Sequence, residues 1–232
     1  MNVVVTGASK GIGRSIAENF AAAGANLFLC SRNMDATLQW QQELMQQYNV
    51  NVTAFNADLS TEQGAKSFGE QLLKATDQID VLVNNTGMYE PGSIYNEGEG
   101  QLERMLHVNL LSAYHLTRSL IATMIKKRAG HIFNICSIAA LKAYPNGGSY
   151  SISKWALAGF SKNLREEMKE FNIKVTTVHP GATYTSSWEG SGVEHERIME
   201  VNDVAAMIVA ASKLSPQACV EEIILRPQLG DL

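Results

Sequence analysis

The sequence predicts a single doubly wound α/β domain of the Rossmann type, about seven parallel strands with helices on both faces. Two observations support this prediction. Short apolar runs, such as residues 3–5 and 81–83, contain little alternation with polar residues, which is typical of parallel strands buried on both faces. These runs alternate with longer segments of helical period, an order that favours strands joined by crossover helices.

The alternation continues along all 232 residues. We predict strands at 2–6, 26–31, 51–56, 79–83, 131–136, 173–178 and 220–225. We predict helices near 12–23, 35–48, 61–76, 100–127, 149–170 and 201–213. No linker or repeat in the sequence divides the chain, so we expect residues 1–232 to form a single domain. The segment 181–200 has no clear period and is expected to be a mobile loop over the functional site.

The composition excludes several classes of function. The chain is 45% hydrophobic and 18% charged with a net charge of −4, which argues against a nucleic-acid-binding or anionic-membrane-binding surface. Three cysteines without a paired spacing, and scattered histidines, predict a reducing compartment and no metal site. A first strand that begins at Asn2 leaves no room for a targeting segment, so we expect a cytoplasmic protein with no membrane span.

A glycine-rich turn joins the first strand to the first helix. Gly7 permits a tight turn, and Gly11 and Gly13 let the backbone approach a ligand closely. The helix that begins near Ile12 then points free N–H groups at this position, which suits a pyrophosphate. The sequence therefore predicts a dinucleotide site, and the turn residues expected to contact it are Gly7, Ser9, Lys10, Gly11, Ile12 and Gly13.

The end of the second strand indicates which dinucleotide is bound. An NAD site requires a carboxylate about 20 residues after the turn, for the ribose 2′-hydroxyl. Here the strand ends in Ser31 and Arg32, without an acid. Arg32 can grip a 2′-phosphate with its planar fork, Ser31 can donate to it, and Lys10 can add a second positive charge. The predicted cofactor is therefore NADP(H).

Three further residues have the chemistry of a carbonyl reductase. Tyr150 and Lys154 lie four positions apart on a predicted helix and share one face. A nearby ammonium should lower the pKa of the phenol, which is normally near 10. Ser137 ends the fifth strand, where open α/β sheets bind ligands, and can stabilise developing alkoxide charge. Hydride would pass from the nicotinamide to a ketone, and Tyr150 would supply the proton.

These residues, in this order, resemble the short-chain dehydrogenase/reductase family, in its single-domain NADP-dependent branch. The resemblance covers nearly the whole chain. It rests on Thr6–Gly13, Asp58-Leu59, Asn84–Gly87, Asn109, Ser137, Tyr150–Lys154 and Pro180-Gly181. One departure is Thr86, where the family usually has alanine.

The resemblance implies roles for residues that spacing alone does not explain. Asn109 is expected to hold a water that relays protons to Lys154, while the lysine also bonds the nicotinamide ribose. The catalytic set is therefore expected to be Asn109, Ser137, Tyr150 and Lys154.

The resemblance also extends the predicted cofactor site. Asp58 is expected to reach the adenine amino group, with Leu59 beside the adenine ring. Asn85 and Gly87 are expected to contact the adenosine ribose through their backbone. At the other end of the cofactor, Pro180 and Gly181 are expected to bend the chain beneath the nicotinamide, where two threonines bind its carboxamide and the nearby phosphate. These two are Thr183 and Thr185.

The sequence leaves three functions open. The first is an NADPH-dependent carbonyl reductase acting on a small-molecule carbonyl substrate, whether an acyl thioester, a pterin, a sugar, or a small keto or hydroxy acid. The second is an NAD-dependent alcohol dehydrogenase, and the third a non-catalytic dinucleotide-binding regulatory protein. The resemblance further implies a homotetramer or homodimer, formed through helices 100–127 and 149–170.

Overall fold

The computed structural model describes residues 1–186, 188, 190 and 192–232. Its centre is a seven-stranded sheet of order β3-β2-β1-β4-β5-β6-β7, in which every pair is parallel. The strands are β1 Asn2–Thr6, β2 Asn26–Ser31, β3 Val52–Asn56, β4 Val81–Asn84, β5 Gly130–Ile135, β6 Ile173–Pro180 and β7 Glu222–Leu225. The predicted fold class is confirmed.

Seven α-helices connect or follow the strands in the described chain. They are α1 Gly11–Ala22, α2 Met34–Tyr48, α3 Glu62–Ala75, α4 Gln101–Leu106, α5 Ser112–Lys127, α6 Gly148–Met168 and α7 Val201–Ser212. The predicted continuous α-helix 100–127 differs from the structure, because a π-helical segment at His107–Leu111 separates α4 from α5. Such segments place an extra residue in a turn and occur frequently at functional sites.

The strands are buried on both faces, as their apolar runs predict. Val3 and Val5 point into one core, and Val4 between them points into the other, because successive side chains of a strand alternate between faces. The first core is filled from α1, α2 and α7, by residues such as Phe20, Trp40 and Ile208. The second is filled from α3, α5 and α6, by residues such as Phe68, Leu120 and Leu164.

The order of the strands determines where a ligand can bind. β1 pairs with β2 on one side and with β4 on the other, so the chain reverses its direction of winding between β1 and β4. In open α/β sheets, ligands bind at the carboxyl ends of the strands beside such a point. The loops after β1, β2, β3, β4, β5 and β6 all emerge at this edge.

Two backbone hydrogen bonds join the beginning and the end of the segment 181–200. The amide of Tyr184 donates to the carbonyl of Met199 at 2.7 Å, and the amide of Met199 donates to Ala182 at 3.0 Å. The expected mobility of this loop remains a prediction, and its residues 187, 189 and 191 lie outside those that the structure describes. Within the described ranges, we find no helix long and apolar enough to cross a membrane.

A buried histidine makes the stability of this fold dependent on pH. His131 stacks on Phe133 at a centroid distance of 3.9 Å, and its Nε2 lies 2.7 Å from the hydroxyl of Thr176. Burial lowers the pKa of His131 from 6.5 to about 3. Below about pH 6.5 the unfolded chain therefore binds a proton that the folded protein excludes, so stability present at neutral pH is lost as the pH falls.

We expect wild type to lose about 2 kcal/mol more unfolding free energy than His131→Phe between about pH 7 and about pH 5. Urea unfolding of both proteins across this range measures the difference. Because both proteins keep the buried His179, the comparison isolates His131. Parallel pH profiles would contradict this account.

Candidate active site

The glycine-rich turn has the backbone conformation expected from its sequence. Gly7 and Gly11 have φ angles of +62° and +57°, a region that side-chain-bearing residues rarely adopt. A Cβ on Gly11 would lie 3.3 Å from Cγ2 of Thr185, so the loop after β6 closes over the turn. A cleft of about 460 Å³ runs along this contact, lined in part by Lys10, Tyr184 and Ser186.

Asn85, in the loop directly after β4, supports the turn. Its side-chain amide donates to the carbonyls of Thr6 at 3.0 Å and Gly7 at 3.1 Å. A Cβ on Gly13 would overlap this amide nitrogen and lie 2.5 Å from the carbonyl oxygen of Gly7. Only glycine at position 13 therefore lets α1 begin this close to the turn. Ser9 is half-buried in the turn, and Ile12 packs on the first core.

The end of β2 presents one exposed cation. Arg32 is exposed to solvent, whereas Ser31 is buried. The Ser31 hydroxyl donates to the carbonyl of Asn33 at 2.9 Å and lies 2.6 Å from the hydroxyl of Thr37. Ser31 is thus engaged in the turn that presents Arg32, rather than being the open donor expected from the sequence. Lys10 is exposed on the adjacent turn, with its Nζ 3.0 Å from the hydroxyl of Ser186.

The loop after β3 lies beside this cation. Asp58 is exposed, and its carboxylate accepts a hydrogen bond from the amide of Ser60 at 3.0 Å. That bond lowers the pKa of Asp58, and the charge of Arg32 lowers it further. Thr61, rather than Asp58, caps α3 by accepting from Gly64, and Leu59 is buried. Asp58 therefore does not cap α3, and it lies at the sheet edge, where an adenine is expected.

Ser137, Tyr150 and Lys154 meet at the carboxyl end of β5. The Ser137 hydroxyl accepts from the amide of Ala139 at 3.1 Å and is a hydrogen-bond partner of the Tyr150 phenol. Lys154 is buried, donates to the carbonyl of Ile135 at 3.0 Å, and lies 5.8 Å from the centre of the Tyr150 ring. The three predicted side chains therefore share one site.

Burial dominates the electrostatics of this group. It raises the pKa of Tyr150 from 10.0 to about 12, although the hydrogen bond with Ser137 opposes the shift. Burial also lowers the pKa of Lys154. The sequence-based expectation that Lys154 brings the pKa of Tyr150 below 10 is thus not met in the structure, because desolvation of the phenolate outweighs other influences. The phenol is protonated at neutral pH and can donate a proton.

Asn109 lies in the π-helical segment and links two parts of the site. Its carboxamide oxygen accepts from the amide of Met88 at 2.7 Å, and its nitrogen donates to Ser153 at 2.8 Å. A Cβ on Gly87 would lie 3.3 Å from Oδ1 of Asn109 and 3.5 Å from Nζ of Lys154. Asn109, Gly87 and Lys154 are therefore neighbours, although the proton relay expected for Asn109 remains a prediction.

The nicotinamide end of the predicted cofactor site lies after β6. The amide of Gly181 donates to the carbonyl of Leu225 at 2.8 Å, which fixes the bend after Pro180. Thr183 is buried, and its hydroxyl donates to the carbonyl of Gly181 at 2.9 Å. The side chain of Thr185 faces the turn at Gly11. The contacts of both threonines with a cofactor remain predictions.

Two further tyrosines lie near the phenol of Tyr150. The ring of Tyr89 makes an edge contact with that of Tyr150 at a centroid distance of 4.9 Å. Burial raises the pKa of Tyr144, and the nearby Tyr89 and Tyr150 raise it further. The sequence analysis did not identify two further polar residues near the site. Glu97 accepts a hydrogen bond from the amide of Ser149 at 2.6 Å, and Ser153 accepts one from Asn109 at 2.8 Å. Both bonds join segments that are distant in the sequence. Among the described residues, no group of three or more His, Cys, Asp or Glu side chains could hold a metal ion.

Comparison with known sequences identifies related proteins. The sequence profile of the short chain dehydrogenase family matches residues 1–196. A sepiapterin reductase from Chlorobaculum tepidum is 33% identical over 238 aligned residues, which cover 99% of this chain and 97% of the reductase.

Solved structures with the same fold differ in cofactor. An alcohol dehydrogenase from the archaeon Thermococcus sibiricus, complexed with 5-hydroxy-NADP, superposes with a TM-score of 0.91 at 26% identity, covering 98% of this chain and 96% of that one. A 7α-hydroxysteroid dehydrogenase complexed with NADH has a TM-score of 0.88 at 27% identity, covering 99% of this chain and 94% of that one. The fold therefore accommodates either dinucleotide, and local residues must decide between them.

Proposed function

The chain belongs to the short-chain dehydrogenase/reductase family of oxidoreductases, and we propose that it is an NADPH-dependent carbonyl reductase in which Tyr150 donates the proton. The observation that carries this proposal is the convergence of Ser137, Tyr150 and Lys154 at the sheet edge beside the glycine-rich turn. A purely regulatory dinucleotide-binding protein would have no need of a buried phenol and a buried lysine at this position, since burial of such groups is costly.

The described residues fit a dinucleotide along this edge. Gly13 lets α1 begin directly against the Asn85 side chain and the carbonyl of Gly7, and the backbone N–H groups at the start of α1 point towards the turn. Lys154 would hold the nicotinamide ribose, Asp58 the adenine, and Gly181 the bend beneath the nicotinamide. When bound, the reduced nicotinamide supplies the hydride.

The protein's own residues supply the remaining chemistry. The substrate carbonyl oxygen would accept hydrogen bonds from Ser137 and Tyr150, which hold the carbonyl carbon against the nicotinamide. As negative charge develops on that oxygen, Ser137 stabilises it and Tyr150 transfers its phenolic proton. Lys154 stabilises the Tyr150 phenolate that remains. A new proton would then reach the phenolate from the side of the site where Asn109 lies.

Arg32 supports NADPH rather than NADH. It is exposed at the end of β2, and Lys10 is exposed on the turn after the neighbouring strand β1, so the two cations together suit a 2′-phosphate. Asp58 is close enough to Arg32 for the two charges to interact, but it follows β3 rather than β2 and its carboxylate is held by Ser60. An NAD-dependent alcohol dehydrogenase is therefore the second candidate.

We also propose that the protein forms a homodimer or homotetramer through α5 and α6. Ile152 and Trp155 of α6 expose 40% and 52% of their surface, more than a helix facing only its own core requires. Leu164, further along α6, is instead buried in the core of its own chain. The interface would therefore centre nearer the beginning of α6.

Replacing Arg32 with Asp tests the cofactor preference. Charge-assisted bonds of about 1.5–3 kcal/mol each should be lost, so NADPH should bind at least about tenfold more weakly while NADH is spared. Fluorescence titration of both cofactors measures this change. Equal affinities of wild type for NADPH and NADH would contradict the assignment.

Three substitutions separate the proposed catalytic roles. Tyr150→Phe should lower turnover by roughly 10²–10⁴-fold, because the general acid is lost, while NADPH affinity hardly changes. Ser137→Ala should likewise slow the reaction without weakening NADPH. Lys154→Ala should lose both rate and cofactor affinity.

Steady-state kinetics with a panel of ketones, diketones, pterins and acyl thioesters, together with NADPH titration, distinguishes these patterns. A Tyr150→Phe enzyme that reduces an accepted substrate at a near-native rate would overturn the proposed mechanism.

A further inference from the structure

We propose that Glu97, in the loop between β4 and α4, is a positioning residue that holds Tyr150 in place by capping the N-terminus of α6. The inference rests on the proposed function, since it assumes that Tyr150 donates the proton. Glu97 would act through the helix backbone rather than by touching substrate or cofactor.

Tyr150 lies at the N-terminal end of its helix, where the helix can fray. α6 begins at Gly148, so Tyr150 is in the first turn. The first N–H groups of a helix have no partner one turn earlier, and this turn frays unless other groups bind them. Gly147, the residue before α6, has no side chain with which to cap it. The orientation of the phenol therefore depends on support from elsewhere in the chain.

Glu97 supplies that support from a segment about fifty residues earlier in the sequence. Its Oε1 accepts a hydrogen bond from the amide of Ser149 at 2.6 Å, and its Oε2 accepts one from the hydroxyl of the same serine. Ser149 is buried and Glu97 is half-buried, so these bonds are partly shielded from water. A carboxylate at this end of a helix also interacts favourably with the helix dipole.

The start of the helix is shaped to receive this carboxylate. Gly148 has a φ of +32°, and a Cβ at this position would overlap Oε1 of Glu97 and lie 2.5 Å from the carbonyl oxygen of Gly92. Glycine at position 148 thus lets both the carboxylate and the loop backbone lie directly against the helix terminus. This close approach is difficult to explain if Glu97 were an ordinary surface acid.

Further bonds join the same loop to the residues before α6. The amide of Gly92 donates to the carbonyl of Asn146 at 3.2 Å, and the hydroxyl of Ser93 donates to the Asn146 side chain at 2.7 Å. The ring of Tyr89, also in this loop, contacts the ring of Tyr150. The loop therefore holds the helix start through its backbone, through a carboxylate cap and through the phenol ring itself.

The variants Glu97→Ala and Glu97→Gln test this role, with Glu99→Ala as a matched control because Glu99 is an exposed acid of the same loop. Turnover should be expressed per NADPH-binding site, so that a loss of folded protein does not count as a loss of rate. Glu97→Ala should lower kcat by about tenfold or more, since small displacements of a reacting group are costly. Glu97→Gln should retain an intermediate rate, because its amide oxygen can still accept from Ser149.

Cofactor affinity and hydrogen exchange separate positioning from general destabilisation. The Kd for NADPH should stay within about twofold of wild type in all three variants, because Lys154 lies a turn further along α6 and keeps its bond to Ile135. Amides at the beginning of α6 should exchange faster in Glu97→Ala, and those at its centre should not.

A Glu97→Ala enzyme whose kcat equals that of wild type and of Glu99→Ala would overturn the positioning role. The proposed function would still stand in that case, provided that Tyr150→Phe is inactive. A near-native Tyr150→Phe enzyme would overturn the proposed function instead. If Glu97→Ala does not fold, Glu97→Gln decides, and a native kcat for that variant with native exchange at the helix start rejects the inference.

Discussion

The hydrogen bonds between Thr6 and Asn85 join the two halves of the sheet at the point where the winding reverses. The Thr6 hydroxyl accepts from the amides of Asn85 and Thr86 at 2.9 and 3.0 Å, and the Asn85 side chain returns a bond to the Thr6 carbonyl. Because the same side chain lies against Gly13, the glycine-rich turn and the loop after β4 are held together. Gly87, two residues on, then lies beside Lys154 of α6, so the two halves of the proposed site share one framework.

The proposed chemistry depends on groups that are kept away from water. Burial raises the pKa of the Tyr150 phenol and disfavours the charged form of Lys154. A proton donor for carbonyl reduction must be neutral before the reaction, so the raised pKa suits reduction better than the reverse reaction.

The parts of this structure that could be predicted from sequence are those encoded by neighbouring residues. The glycine spacing from Gly7 to Gly13 specifies a turn, and the separation of Tyr150 and Lys154 specifies one helical face. The alternation of apolar runs with helical periods is sufficient for the fold class, because parallel strands must be buried on both faces.

What could not be predicted depends on contacts between distant segments. Nothing near Glu97 in the sequence indicates that its carboxylate lies against Ser149, and nothing near Asn85 shows that its side chain braces the turn. The hydrogen bonds of the Ser31 hydroxyl with Asn33 and Thr37 could not be predicted from the sequence, and the contact of Ser31 with a cofactor remains a prediction. The pKa of Tyr150 could not be predicted either, since it is determined by how completely the folded chain buries the phenol.

The central claim is that Tyr150 exchanges a proton with the substrate oxygen, and the pH dependence of both reaction directions tests it most directly. For an accepted carbonyl and its alcohol, kcat should be measured in each direction from about pH 6 to about pH 10. Oxidation needs the phenolate, so a pKa raised by burial to about 12 predicts that oxidation accelerates throughout this range, by up to about tenfold per pH unit. Reduction needs the phenol and should keep its rate over the same range. Oxidation as fast at pH 6 as at pH 9, or a reduction rate that rises with the deprotonation of a group in this range, would contradict the account.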